Sequence, residues 1–522
     1  MHLHWLDIIT LLTYLSGITF IGIYFSRKNV STEQYFVGGR AFSGWVIGIS
    51  MIGTSISSVT FIAYPGDAFK TAWLRFLPNL TLPVCIIIAA YIFLPFFRRG
   101  KITSAYEYLE YRFGPSIRTY GSIAFIITQL VRVSMILYLI SLVIYEITGL
   151  SPVMSIVTSG IIVAIYTIMG GINAVIWTDA TQTIIFVIGG LLCLFVVVNK
   201  LPGGLGQIFS VAIADHKFAF AEWANGNVEP VSWAFSLKDK TAGMMLIIGL
   251  TIWLNEYSTN QNVIQRYCAS KSTKEARKAM YVCAFTSIPI WAFFMFLGTS
   301  LYVFFKVYPT VEATEMLTGV RKADQILPFF IINYMPPGIT GIVIAAILAA
   351  GMSSLDSSIN AISTVTVVDI YRRHLVKNKS DKHYLKVAWI AAAAASVIMI
   401  IGAILLVESG SNTFQDTAVI LGALFSGGLL GLYMLGFFTK KGDARSVGFG
   451  IIFTLAFTTW TILSDKQILP EAFCFPFNLY YIGIGGNFMM FVVGYIVGTI
   501  LPAKKRDLKN LNVWEQTKMP LE

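Results

Sequence analysis

Residues 349–360, AAGMSSLDSSIN, place Ser353, Ser354, Asp356, Ser357, Ser358 and Asn360 in an otherwise apolar stretch. Lipid offers these groups no hydrogen bonds, and an ionisable side chain at membrane depth is costly unless partnered. Ser353 and Ser357 are four apart, and Ser353 and Asp356 three apart, so on a helix they share one face. Hard oxygens clustered on one face suit a small hard cation. Serines alone would serve equally as glue between packed helices, and Asp356 is the residue that glue does not explain. A second isolated charge is Arg132, in the long uncharged run IAFIITQLVRVSMILYLISLVI. An arginine keeps its proton, so at this depth it must face a cavity, a partner or a ligand. Its planar fork matches a carboxylate in bidentate geometry. Pairing with Glu256 or Asp179, or snorkelling from a shorter helix, would satisfy it without a ligand.

Such residues need membrane helices to hold them. The chain is 56% hydrophobic and 12% charged, with mean hydropathy +0.70, which marks an all-α integral membrane protein. Apolar windows of about twenty residues predict about 13 transmembrane helices, near 5–25, 44–66, 77–98, 117–147, 152–170, 176–199, 241–261, 278–306, 325–371, 384–407, 415–438, 445–464 and 481–501. The window 325–371 has room for an entry helix before its span. The first segment lacks a basic leader region and a small-residue cleavage site, so it reads as a retained helix.

Lys and Arg total 38 against 27 Asp and Glu, a net charge of +11. The basic clusters are Arg27–Lys28 with Arg40, Arg98–Lys101, Arg266 to Lys278, Arg372 to Lys379, Lys440 to Arg445, and Lys504–Arg506. Each falls in an alternate loop or in the C-terminal tail. The positive-inside rule then predicts a multi-pass protein of the cell (inner) membrane, with the N-terminus outside and the C-terminus cytoplasmic. An odd number of spans requires the same arrangement. Topology therefore accounts for the charge, and nucleic-acid binding does not.

The five cysteines show no paired spacing, so neither a disulfide framework nor a metal motif is expected. All five histidines fall outside the predicted spans, which argues against a histidine proton relay or a buried zinc site. No Walker-type phosphate loop and no fused soluble domain is visible. Active transport would have to draw on an ion gradient.

Two windows look interrupted. Gly53-Thr54-Ser55-Ile56-Ser57-Ser58-Val59-Thr60 breaks the second, and Asn255 to Gln261 breaks the seventh, five spans later. Corresponding broken helices in two halves point to an inverted-repeat transporter with its site near the midplane. The expected organisation is an N-terminal helix and loop (1–43), a first five-helix repeat (44–199), an extracellular loop (200–240), a second repeat (241–438), and two final helices with a tail (439–522).

At YFVGGR (35–40), YEYLEYRFG (106–114), YTIMGGINAVIWTDATQ (166–182), NQNVIQRY (260–267) and AAGMSSLDSSINAISTVTVVDIY (349–371), the chain resembles the sodium:solute symporter family. The resemblance implies a LeuT-type 5+5 fold with one extra N-terminal and two extra C-terminal helices, and transport driven by Na+. By position it implies a first sodium site made of the Gly53, Ile56 and Ala350 carbonyls with the Ser353 and Ser354 hydroxyls. It implies a second, found in some members, at Asp179 with Ser353, Asp356 and Ser357. Members using that second site commonly carry a hydroxyl residue where this chain has Asp356, which leaves the number of coupled ions open. Asp179 would equally serve as a helix cap.

QLVRVSMILYL further resembles the third core helix of the family's bacterial sialic acid transporters, which hold the sugar's carboxylate with an arginine. That resemblance implies substrate contacts at Arg132, Ser55, Ser57, Thr60 and Asn79. The expected function is sodium-coupled symport of an acidic sugar, N-acetylneuraminate foremost, by a protein acting as a monomer in membrane lipid. A neutral sugar, a monocarboxylate or another small anion is the alternative within transport. A membrane sensor or channel is the alternative class. An intramembrane enzyme is not expected, because no serine has a histidine or lysine base within the spans.

Overall fold

The computed structural model describes residues 4–27, 30–100, 102–224, 227–408, 427–501 and 507–515. Much of the predicted span 415–438, together with Lys28, Lys101, Lys504–Arg506 and His2, lies outside them. Helix dominates because the bilayer core leaves backbone groups no partner but one another. Helix α1 spans Trp5–Ser26. The second predicted span is two helices, α2 (Gly44–Ser55) and α3 (Ser58–Lys70), bent by 56°. At the break Ile56 and Ser57 are extended, which frees the last carbonyls of α2 from helical donors.

Helix α4 runs Leu74–Arg99 and α5 Pro115–Thr148. Helix α6 (Pro152–Lys200) has 49 residues, about 74 Å at the helical rise and more than twice a hydrocarbon core of ~30 Å. It must therefore cross twice, in agreement with the two windows read at 152–170 and 176–199. The reversal is at Gly171, with φ 54° and ψ −159°. A Cβ there would lie 2.6 Å from the Tyr35 ring, so only glycine serves, on conformational and steric grounds together. The motifs YFVGGR and IMGGINAV thus meet at one turn.

Between the predicted repeats, α7 (Gly204–Ala214) and a hairpin of β1 (Ala221–Ala224) and β2 (Asn227–Pro230) form a cap. Lys217 in this cap is buried, and its Nζ donates to the Phe69 (2.8 Å) and Thr71 (2.7 Å) carbonyls at the end of α3. It lies 4.0 Å from the Tyr302 ring, and burial pushes it down to about 7, partly offset by Asp215.

The seventh predicted span breaks at Asn260, between α8 (Ala242–Thr259) and α9 (Gln261–Ala269). Helix α10 (Thr273–Val307) follows, then two short helices, α11 (Val311–Thr318) and α12 (Ile326–Tyr334), the second being the expected entry helix. Helix α13 (Ile339–Val365) continues as a π-helix to Leu375, and every residue from Val343 to Val365 is buried. Only a helix surrounded by protein can carry so many polar groups through a membrane. Its N-terminus is capped in trans: Asp7 of α1 accepts from the Gly338 (2.7 Å) and Gly341 (2.8 Å) amides. The remaining helices are α14 (Asp381–Glu408), α15 (Leu429–Phe438), α16 (Ala444–Asp465) and α17 (Ile482–Ile500). Among the described residues nine helices are long and apolar enough to span, ten with the bent α2–α3 pair.

Candidate functional site: a cation cleft between the broken helix and the serine-rich helix

The α2–α3 break faces the serines of α13. Ser353 Oγ donates to the Gly53 carbonyl (2.9 Å) and lies 3.3 Å from the Ala350 carbonyl. Ser354 Oγ is buried and has no hydrogen-bond partner among the described residues. Gly53, Ile56, Ala350 and Ser353 line one cavity of about 10 Å³, room for a single water-sized sphere. A Cβ on Gly53 would lie 2.7 Å from Thr183 Oγ1 of α6, so the absence of a side chain lets α2 and α6 close around this point. Freed carbonyls and an orphaned buried hydroxyl fit a small hard cation.

The second predicted cluster holds a charge supplied by the protein. Asp179 is buried in mid-helix, not at a cap. Its Oδ2 accepts from Arg266 Nη2 (2.5 Å), Ser50 Oγ (2.9 Å) and Ser357 Oγ (3.3 Å). Arg266 also donates to Ser50 Oγ (2.9 Å), the Asn262 carbonyl (2.6 Å) and Ser357 Oγ (2.7 Å). Read from sequence as the start of a basic loop, Arg266 is in fact 1% exposed. Asp356 turns the other way, its Oδ2 accepting from Tyr166 Oη (3.0 Å) and Thr178 Oγ1 (3.2 Å), with Ser357 Oγ 3.4 Å from Oδ1. Ser353 belongs to the first cluster. One guanidinium thus pairs with one of two buried carboxylates, and Asp179 Oδ1 has no hydrogen-bond partner among the described residues.

Among the predicted substrate residues, Ser55, Ser57 and Thr60 sit on the break and the first turn of α3. Ser55 Oγ lies 3.4 Å from Tyr257 Oη, and Thr60 is buried. Asn79 is committed within the protein, donating to Tyr64 Oη (2.7 Å). Arg132 is half-buried and makes no hydrogen bond or ion pair among the described residues. The partners weighed for it are engaged elsewhere: Asp179 with Arg266, and Glu256 with Asn260 Nδ2 (2.8 Å). Arg132 lies seven residues before Leu139, hence on the same face of α5, two turns deeper. Leu139 lines a cavity of about 750 Å³ between α3, α5 and the α11–α12 segment, within the range of small-molecule sites. Ser58 lines it too, whereas Ser57 and Thr60 do not.

The face carrying the basic loops is tied shut. Arg112 donates to the Gly436, Thr439, Lys441 and Gly442 carbonyls. Arg118 bridges Asp369 (2.7 Å) and Glu110 (2.8 Å), and Arg373 pairs with Glu110 (2.5 Å). These arginines, Arg373 foremost, hold the Glu110 carboxyl below its usual range. The cavity lined by Leu139 lies toward the other end of α5 from Arg118.

Known proteins resemble this chain over almost its whole length. The chain is 33% identical to the sodium/sialic acid symporter SiaT of Proteus mirabilis, covering 95% of each. It is 30% identical to the sodium/sialic acid symporter NanT of Aliivibrio fischeri, covering 97% of this chain and 94% of that one. A solved substrate-bound, outward-open Na+-coupled sialic acid symporter matches with a TM-score of 0.86 and 32% identity, over 96% of this chain and 99% of that one. The fold is accordingly LeuT-type, and the protein is a multi-pass membrane transporter, not an enzyme. With the model of the sodium:solute symporter family matching residues 35–451, the chain belongs to that family.

Proposed function

We propose that the protein imports a carboxylate-bearing sugar, N-acetylneuraminate foremost, together with sodium by alternating access. The observation that carries the substrate assignment is Arg132, a fixed positive charge in a membrane helix with no acid or hydrogen-bond partner among the described residues. An incoming carboxylate would meet it in bidentate geometry, with Ser55, Ser57, Thr60 and Asn79 offering polar contacts to the rest of the sugar. Asn79 would first have to release Tyr64. Similarity to sodium/sialic acid symporters over almost the whole chain supports the same reading.

Sodium would bind the Gly53, Ile56 and Ala350 carbonyls with the Ser353 and Ser354 hydroxyls, joining the broken helix to α13. A second sodium would lie beside Asp179, Asp356 and Ser357 and share them with Arg266. One guanidinium and one sodium would then balance two carboxylates. The repeats are 44–199 and 241–438, the protein acts as a monomer in the inner membrane, and the basic, closed face is cytoplasmic. The end holding the Leu139 cavity then opens outward to receive substrate.

The test is uptake of radiolabelled N-acetylneuraminate into proteoliposomes with and without an inward sodium gradient. Uptake indifferent to sodium overturns the mechanism. Sodium-driven uptake of glucose or lactate, but not of sialic acid, overturns the substrate.

A further inference from the structure

The first sodium site has a third wall. Its ligands as assigned come from α2 and α13 alone, yet the second arm of α6 closes the same cavity through Gln182 and Thr183. Thr183 is committed within its own helix, its Oγ1 donating to the Asp179 carbonyl at 2.7 Å. Gln182 is not. It is 1% exposed, and neither Oε1 nor Nε2 has a hydrogen-bond partner among the described residues. The tyrosine hydroxyls that approach it, Tyr14 and Tyr166, direct their protons to Met352 Sδ (3.8 Å) and Asp356 Oδ2 (3.0 Å).

A buried primary amide with both ends unsatisfied is costly, so native proteins retain one where something engages it. Hard cations of this kind take about six oxygens, and the assigned set supplies five. We propose that Gln182 Oε1 is the sixth oxygen of the first sodium site, so that α6 as well as α2 and α13 grips the ion. The assignment rests on the sodium symport reading. It makes the site a three-helix clasp: binding draws the α6 arm, with Asp179 one turn away, toward the broken helix.

Q182M keeps the length of the side chain and removes both polar atoms. The experiment is thermal unfolding of the purified full chain in detergent, titrated with sodium chloride against choline chloride at constant ionic strength. In choline, Q182M should be at least as stable as the parent, since two unsatisfied buried groups are gone. The sodium concentration for half-maximal stabilisation should rise about tenfold, the ~1.4 kcal/mol expected of one lost charge-assisted contact. Equal destabilisation in both salts with an unchanged sodium midpoint overturns the proposal, because it marks Gln182 as a structural bonding group. Q182E provides a second reading. A ligand position should accept the carboxylate and bind sodium at lower concentration, whereas an unchanged or raised midpoint counts against it. A parent protein that sodium does not stabilise at all overturns the symport reading itself, on the parent trace alone.

Discussion

Removing Arg266 and Asp179 together should damage the protein far less than the two single removals summed. The two are 1% and 0% exposed and meet at 2.5 Å, and Arg266 Nη2 also reaches Ser357 at 2.7 Å. R266M leaves Asp179 buried with only hydroxyl donors, Ser50 and Ser357. Breaking one side of such a pair costs about 3–5 kcal/mol, most of it the price of the charge left behind. D179N strands the guanidinium in the same way, though Asp356 lies near enough to moderate the loss. R266M/D179N removes both charges, so the double variant should recover about 2–3 kcal/mol of the summed single costs. A double-mutant cycle from reversible denaturation in mixed micelles measures this coupling directly. Sodium adds a second prediction: if the ion shares this acidic cluster, high sodium should restore part of the stability lost in R266M by supplying the missing charge. Single costs that simply add, with coupling under about 0.5 kcal/mol, would refute the view that this pair acts as a unit.

R132A should weaken binding of an acidic sugar by about 2–3 kcal/mol, roughly 30- to 150-fold in Kd, while sodium-induced stabilisation stays intact; isothermal titration at saturating sodium reads both. R132K should rescue little, since a point charge does not reproduce the fork, and full affinity in R132A would remove the carboxylate reading. S353A deletes both an assigned sodium ligand and the bond to the Gly53 carbonyl, so half-maximal uptake should need at least about tenfold more sodium; an unchanged sodium dependence would place the ion elsewhere. Lys217 titrates near 7 when folded, against 10.5 when free. Between these values the unfolded chain binds more protons, so this residue should make stability rise with pH, by about 1.4 kcal/mol per unit at most. K217M should lose that slope between pH 7 and 9 in thermal unfolding, and parallel profiles for variant and parent would show that Lys217 does not titrate there.

Hydropathy revealed both breaks because polar interruptions are local properties of the chain. The extended residues at Ile56 and Ser57 and the turn at Asn260 fall inside the polar interruptions that signalled them. The meeting of Gly53 with Ser353 was legible because a freed carbonyl and a serine face each leave a local mark. Arg266 was not legible. Its partner is 87 positions away, and a basic residue within a short polar helix looks the same in sequence whether it faces solvent or a buried acid. Asn79 likewise reads as an amide available to a ligand, and only the fold brings the Tyr64 hydroxyl to it. Gln182 gave no signal, since one glutamine on an apolar helix is conspicuous only once its neighbours are known to leave it unbonded.

Asp7 gives α1 a purpose that the repeat symmetry does not supply. It caps the helix that carries Ser353 and Ser354, and further along α1, Gly22 is pressed against Tyr166 of α6. An element outside the inverted repeat thereby bridges its two halves, fastened to α13 in the second and to α6 in the first. A strut fastened to both halves senses the angle between them, so it must bend, slide or let go at one end whenever the halves rock. Shortening the protein from its N-terminus would thus reach the transport cycle before it reached the fold of either repeat.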